Sequence, residues 1–262
     1  MSSLVRKSGL FLAGALLAAA APAREVKEVH KTLPLNRDGR VSIDTYKGSI
    51  TVSTSDAAEV SIDARIEPDP DDADSWKKVQ ETEVRIRGGG SSVEIRSDYS
   101  RVHRRCFLGL FGNGTMPLVR YTIKMPATAR LRIEDYKSEI RVADLRADLK
   151  LHTYKGNVEI AGQGGAIDLE TYKGEVTVAF ARFSSPARFE TYKGSVTVRL
   201  PAETRFELDA DMGRRGDFES DFDLPVRASR RGGSETIRGS VGGGGPKLSF
   251  HTYKGSLRLK RG

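Results

Sequence analysis

Six tyrosine-lysine pairs recur along the chain: Tyr46-Lys47, Tyr136-Lys137, Tyr154-Lys155, Tyr172-Lys173, Tyr192-Lys193 and Tyr253-Lys254. Five sit inside an intact Thr-Tyr-Lys-Gly, starting at Thr45, Thr153, Thr171, Thr191 and Thr252, and the sixth inside Asp135-Tyr136-Lys137-Ser138. If the copies line up in space, they form an aromatic row beside a cationic row. Such a strip can dock an extended anionic or carbohydrate polymer, with tyrosine faces stacking on sugar rings and ammonium groups pairing with carboxylate or phosphate. The competing reading is structural. Tyrosine then stacks on tyrosine, and each lysine is held by the row that precedes the threonines: Asp44, Glu134, His152, Glu170, Glu190 and His251. The threonines themselves share parity with buried positions, where their hydroxyls could bond turn backbone groups.

Catalytic patterns are sparse. Stacked carboxylates such as Glu170 and Glu190 would lie near the ~5 Å separation of a retaining glycosidase, so a polysaccharide hydrolase or lyase is the enzymatic alternative. Every copy repeats the same residue type, however, so the spacing follows from the repeat and singles out no site. His103 and Cys106 have a possible metal-ligand spacing but lack two further ligands. Arg215-Gly216-Asp217 falls in a stretch rich in arginine, glycine and aspartate, where chance accounts for it. The expectation is a protein that is not an enzyme and carries no metal or cofactor.

The elements that position these residues are strands. Four residues before each threonine position stand Val41, Leu131, Leu149, Ile167, Ala187 and Leu248, and two before it Ile43, Ile133, Leu151, Leu169, Phe189 and Phe250. Five after it come Ile50, Ile140, Val158, Val176, Val196 and Leu257, and seven after it Val52, Val142, Ile160, Val178, Val198 and Leu259. Alternation on both sides of a Tyr-Lys-Gly turn means strand, turn, strand, with one face buried. Tyr136, Tyr154, Tyr172 and Tyr192 follow one another at intervals of 18, 18 and 20 residues. A period near twenty marks one unit stacked on copies of itself. Gly162-Gln163-Gly164-Gly165 supplies the return turn of one unit. The predicted fold is all-β: a β-solenoid of 18-20-residue coils, with one short helix on the N-terminal side.

Residues 1–23 read as a cleaved export signal. Arg6 and Lys7 precede an apolar run from Leu10 to Ala21, and Ala21-Pro22-Ala23 fits a cleavage site. No cysteine follows it to carry a lipid, and no later stretch is apolar enough for a membrane helix, which predicts a location in the periplasm, at the cell surface or outside the cell. Removing Arg6 and Lys7 from 43 basic residues leaves +6 against 35 acidic ones. These charges are interspersed, which speaks against a nucleic-acid site. The lone Cys106 means that no internal disulfide supports the fold.

Residues 24–262 read as one domain, irregular over 24–128 and regular over 129–262. A helix is expected from Asp74 to Glu83 with Trp76 facing inward, then strands Thr82–Arg87 and Ser92–Ser97 joined by Gly88-Gly89-Gly90. Residues 100–117 read as a loop, basic and then apolar, whose Phe107–Phe111 tip is a candidate contact for a partner. The last copy, from His251 to Leu259, is expected to close the stack.

The strand Leu118–Pro126 leading into these repeats, and the ending from Gly239 to Leu257 with its Gly242-Gly243-Gly244-Gly245-Pro246, resemble a bacterial exported β-strand-repeat family of unknown function, adhesin-like in its usual label. The resemblance covers roughly residues 40 to 260. Members more often carry Ser-Gly-Asp at the turn. The resemblance implies a fold similar to right-handed parallel β-helices and brings no catalytic residues. The tyrosine and lysine rows point to a binding or scaffolding role in the envelope, toward an anionic polysaccharide or an envelope protein, with a purely structural part in an envelope complex as a further alternative.

Overall fold

Alternating apolar residues build strands, and each strand finds its partner one repeat away. The computed structural model describes residues 26–108, 115–225, 227–231 and 234–262; the segment 1–23, expected to be an export signal, and most of the apolar tip at 109–114 lie outside them. The N-terminal part comprises β1 (Lys27–Asp44), β2 (Lys47–Ser55), β3 (Glu59–Glu67), α1 (Ser75–Glu81), β4 (Glu83–Asp98), α2 (Ser100–Phe107) and β5 (Leu118–Pro126). The regular part comprises β6 (Arg130–Ala143), β7 (Leu149–Lys155), β8 (Val158–Gln163), β9 (Ile167–Phe180) and β10 (Ala187–Leu200). Then follow β11 (Phe206–Asp211), β12 (Asp217–Ser220), β13 (Arg227–Arg231), β14 (Ser234–Val241), β15 (Lys247–Thr252) and β16 (Ser256–Arg261).

Each copy is a rung with two arms that meet at the Tyr-Lys-Gly corner. First arms pair in parallel with first arms and second arms with second arms: β6 pairs β7 through residues 131–135 and β8 through residues 140–143, and β9 pairs both in turn. The register is that of the sequence repeat. Leu131 opposes Leu149, Leu149 opposes Ile167, Ile167 opposes Ala187, and Ala187 opposes Leu248. All four apolar rows read from the sequence are buried in one core. Alternation therefore located the inner face at every copy, because a one-residue slip would turn the whole row to solvent.

Spatial order differs from chain order. The first copy, β1 and β2, lies against β6 although paired positions are ninety residues apart in the chain, and on its other side it pairs in parallel with β4 and β5. The last copy, β15 and β16, lies between β10 on one side and β11 and β12 on the other. It therefore does not close the stack; the chain places residues 206–220 outside it and then returns. Among the described residues there are eight rungs. The six inner ones carry the repeated corner, and the two outer ones replace it with α2 at one end and Met212–Gly216 at the other.

The all-β expectation holds, but the sheet is mixed. β3 runs antiparallel to β1 and β5, and β14 runs antiparallel to β11 and β13. These strands satisfy backbone groups that a bare outer rung would expose. Other expectations need correction. The described residues hold two helices, because Ser100–Phe107 folds as α2 rather than as loop. The strands expected on either side of Gly88-Gly89-Gly90 belong to one element, β4, which passes through these glycines at positive φ. Trp76 faces solvent at 45 % exposure, while Lys78 of the same helix is fully buried. The Lys78 ammonium is satisfied by Asp72 at 2.8 Å and the Thr115 carbonyl at 3.2 Å, so an ion pair occupies the place expected for the indole.

Glycine at the corner is required by distance as well as by conformation. Gly174 has φ +154°, and a Cβ there would lie 2.0 Å from the Gly156 carbonyl oxygen of the rung beside it. Gly174→Ala is expected to lower stability by about 2–4 kcal/mol, measured by urea denaturation, through strain and a forced separation of two rungs.

Candidate functional site

The repeated corner places alternate side chains on opposite sides of the backbone. Threonine points in and is buried in all five intact copies. Tyrosine and lysine follow at the edge, in register from rung to rung: Lys47 with Lys137, Lys137 with Lys155, Lys155 with Lys173, and Lys173 with Lys193. The six tyrosines form one continuous column. Ring centroids are 4.7 Å apart for Tyr46–Tyr136 and Tyr154–Tyr172, 4.9 Å for Tyr136–Tyr154 and Tyr172–Tyr192, and 5.0 Å for Tyr192–Tyr253. Interplanar angles do not exceed 9°. The spacing is that of hydrogen-bonded strands, so the rung separation sets the ring separation.

This geometry removes one expectation. A tyrosine sandwiched between two others has no free face, and stacking on sugar rings needs one. At one end Tyr99 closes the column edge-on, 6.1 Å from Tyr46. At the other, Tyr253 is 41 % exposed, hardly more than Tyr172 at 37 %, so its outer face is covered as well. The column offers ring edges and hydroxyls instead.

The lysines divide into two groups. Lys47 is ion-paired with Asp69, which also accepts a hydrogen bond from the Thr115 hydroxyl. Burial works to raise the Asp69 carboxyl, but the bonds from Lys47 and Thr115 outweigh it and hold the group below the usual carboxylate range. Lys137, Lys155, Lys173, Lys193 and Lys254 are exposed and have no ion pair among the described residues. The ammonium groups of Lys155, Lys193 and Lys254 lie 5.4, 5.5 and 5.4 Å from the ring centroid of the preceding tyrosine. That is within cation–π range and holds the charge beside the column.

The row preceding the threonines does not hold these lysines. It pairs with arginines on the outer face of the first-arm sheet: Asp44 with Arg96 at 2.9 Å, Glu134 with Arg132 at 2.8 Å, and Glu190 with Arg188 at 2.5 Å. His152 Nδ1 lies 3.2 Å from Glu134, and His251 Nδ1 lies 3.4 Å from Asp211. Residues of this row face the tyrosines across a cleft of about 260 Å³ lined by His152, Glu170, Glu190 and His251. Glu170 and Glu190 do stand in register, as the repeat requires, but Glu190 is engaged by Arg188. His103 and Cys106 share α2, where the His103 ring bonds the Tyr99 carbonyl at 2.9 Å. Among the described residues, no group of three or more His, Cys, Asp or Glu side chains is placed to hold a metal.

Threonine hydroxyls bond the turn in one intact copy only. Thr153 Oγ1 lies 3.2 Å from the Lys155 carbonyl and 2.8 Å from Asp135 Oδ2. Thr45 instead bonds Ser97 at 2.8 Å, and the hydroxyls of Thr171, Thr191 and Thr252 are buried without a partner. Asp135 takes the threonine place in the decayed copy. Its carboxylate accepts bonds from the Ser138 hydroxyl at 2.6 Å and the Ser138 backbone N–H at 2.9 Å. Burial nevertheless dominates those bonds and pushes its pKa up to about 6. Sequence reading missed two supports of the corners. Gln163, fully buried in the return turn, donates to the carbonyls of Ala147 and Gly165 at 3.0 and 3.1 Å. Ser97 links Thr45 to the Tyr121 hydroxyl at 2.7 Å. Only the glutamine carried a signal, as a long polar side chain between turn glycines.

Residues 112–259, more than half of the chain, match the family model described as Toastrack DUF4097. The chain belongs to this family. No curated protein matches it significantly. Among solved structures it is similar to a candidate cell adhesion protein from Clostridium sporogenes, with 10 % identity, a TM-score of 0.50, and coverage of 91 % of this chain and 100 % of that one. A candidate adhesin from Bacteroides fragilis matches with 12 % identity, a TM-score of 0.45, and coverage of 90 % and 97 %. At these identities the first likeness is one of fold. Within this Toastrack protein, no helix among the described residues is long and apolar enough to cross a membrane.

The inner-corner carboxyl makes stability depend on pH. Its folded pKa of about 6 lies above the ordinary value of 3.8. The folded state therefore binds the proton more tightly between these values, and stability falls as pH rises through that window. Asp135→Thr, which restores the repeat, is expected to add about 2 kcal/mol at pH 7.5 and to flatten the decline between about pH 4 and 6, read from urea midpoints across pH.

Proposed function

We propose that this chain is an exported, non-enzymatic binding or scaffolding protein whose corner edge docks an extended anionic polymer, an acidic polysaccharide of the envelope. In this reading residues 24–262 form one domain, and the parallel rungs are the coils of a flattened solenoid. The observation that carries the proposal is the row of lysine ammonium groups at Lys137, Lys155, Lys173, Lys193 and Lys254, exposed and without an ion pair among the described residues, beside an unbroken tyrosine column. Asp44, Glu134 and Glu190 could have neutralised such a row, but arginines hold them instead. Like charges repeated at about 4.8 Å repel one another, and a polyanion lying along the row relieves the repulsion.

Lysine supplies the charge, and the tyrosine hydroxyls supply hydrogen bonds to sugar oxygens. The sugar does not stack. Binding of this kind depends on salt, since exposed charges are screened beyond about 10 Å at 0.1 M ionic strength. The leader-like residues 1–23 support an envelope location. Adhesion appears in the name of the Clostridium sporogenes protein and is a role of the same class.

Replacing Lys137, Lys155, Lys173, Lys193 and Lys254 together with glutamine tests the edge. Retention of the mature chain on immobilised polygalacturonate at low salt is expected to fall at least tenfold, with the thermal midpoint little changed. Unchanged retention would remove the corner edge as the binding surface.

A further inference from the structure

A second concave surface lies on the outer face of the first-arm sheet, away from the corner. It is a groove of about 710 Å³, within the range of sites that enclose small ligands. The strand register explains its shape. Five residues before each threonine position lies an outward row that reads Arg40, Arg130, Asp148, Ala166, Pro186, Lys247. Long side chains occupy both ends of this row, and Ala166 and Pro186 leave a notch in the middle with an apolar floor.

The charge around the notch is lopsided. Six basic side chains line the groove against two acidic ones, Asp148 and Asp168. Four of the six are already engaged. Lys150 and Arg188 hold Asp168 at 3.0 and 3.2 Å, Arg132 holds Glu134 at 2.8 Å, and Lys247 holds Asp209 at 2.8 Å. Arg40 and Arg130 are not: both are exposed, and neither has an ion pair among the described residues. They also stand directly opposite one another on neighbouring parallel strands, where like charges destabilise the pairing. Asp148, one rung further on, does not relieve them. Its carboxylate accepts the backbone N–H of Ala166 at 3.1 Å instead.

We propose that this groove is a binding site for a short acidic oligosaccharide. Its oxyanion, carboxylate or phosphate, bridges the guanidinium groups of Arg40 and Arg130, and the apolar face of its sugar body lies over Ala166 and Pro186. Guanidinium suits this task because its planar donors take an oxyanion in bidentate fashion. Arg130 and Ala166 are two rungs apart, about 10 Å, so a ligand that reaches both is of di- or trisaccharide length. The site is independent of the corner edge, sharing none of its lysines.

Titration calorimetry of the mature chain with two probes, trigalacturonate and a phosphorylated maltotriose, tests the proposal and separates the two oxyanions. Saturable binding of either probe is expected, weakened at least tenfold in the Arg40→Gln/Arg130→Gln variant. Ala166→Glu, which fills the notch and adds negative charge, should weaken it similarly. The five-lysine glutamine variant should retain the saturable component that the arginine variant loses. The proposal is overturned if neither probe binds saturably, if the arginine variant binds like the parent while folded by circular dichroism, or if only the lysine variant loses binding.

Discussion

Backbone contact between neighbouring corners governs this structure. The corner glycine of one rung rests on the carbonyl of the next so closely that no side-chain carbon fits between them, as at Gly174 over Gly156 and Gly156 over Ser138. That contact keeps both arms of every rung at hydrogen-bonding distance, and the tyrosine separation follows from it. A larger residue at the corner would have to part the arms, and the apolar rows beneath would lose their packing with them. The column of rings is therefore a result of close backbone approach. Stacking of the rings adds to it but does not set it.

The corner sequence appears only where it is needed. Inner rungs have a neighbour on each side and carry tyrosine, lysine and, with one exception, glycine. The exception is Ser138, whose rung also carries Asp135 in place of threonine, and the two substitutions bond each other. The outer rungs have a neighbour on one side only. There the corner is released from the repeat and accommodates α2 after Tyr99, or the arginine-bearing turn at Gly213–Gly216. Antiparallel strands then cover one arm of each outer rung, β3 along β5 and β14 along β11.

Much of this was legible in the chain. Period-2 alternation on both sides of a conserved-length turn gave the arms, their inward faces and their register, because only one register buries all four apolar rows. The edge rows were legible for the same reason. What could not be read were features decided by contacts distant in sequence. Trp76 looked like a helix anchor, but Lys78 is buried because Asp72 and Thr115 are brought to it by folding. The occupied faces of the tyrosines depend on ring orientation, which spacing leaves open. Arg40 and Arg130 lie ninety positions apart, and nothing local marks them as neighbours.

The placement of the last copy bears on how the molecule is assembled. β15 and β16 enter a slot bounded by strands made earlier, β10 on one flank and β11 with β12 on the other. Residues 206–211 can join β14 beforehand, but residues 217–220 have only β16 for a neighbour. Pairings of that span are slow to form. Until β15 and β16 are in place, two strand edges stay unmatched, one on each flank. Loss of residues 247–262 would accordingly leave the array divided rather than one unit shorter.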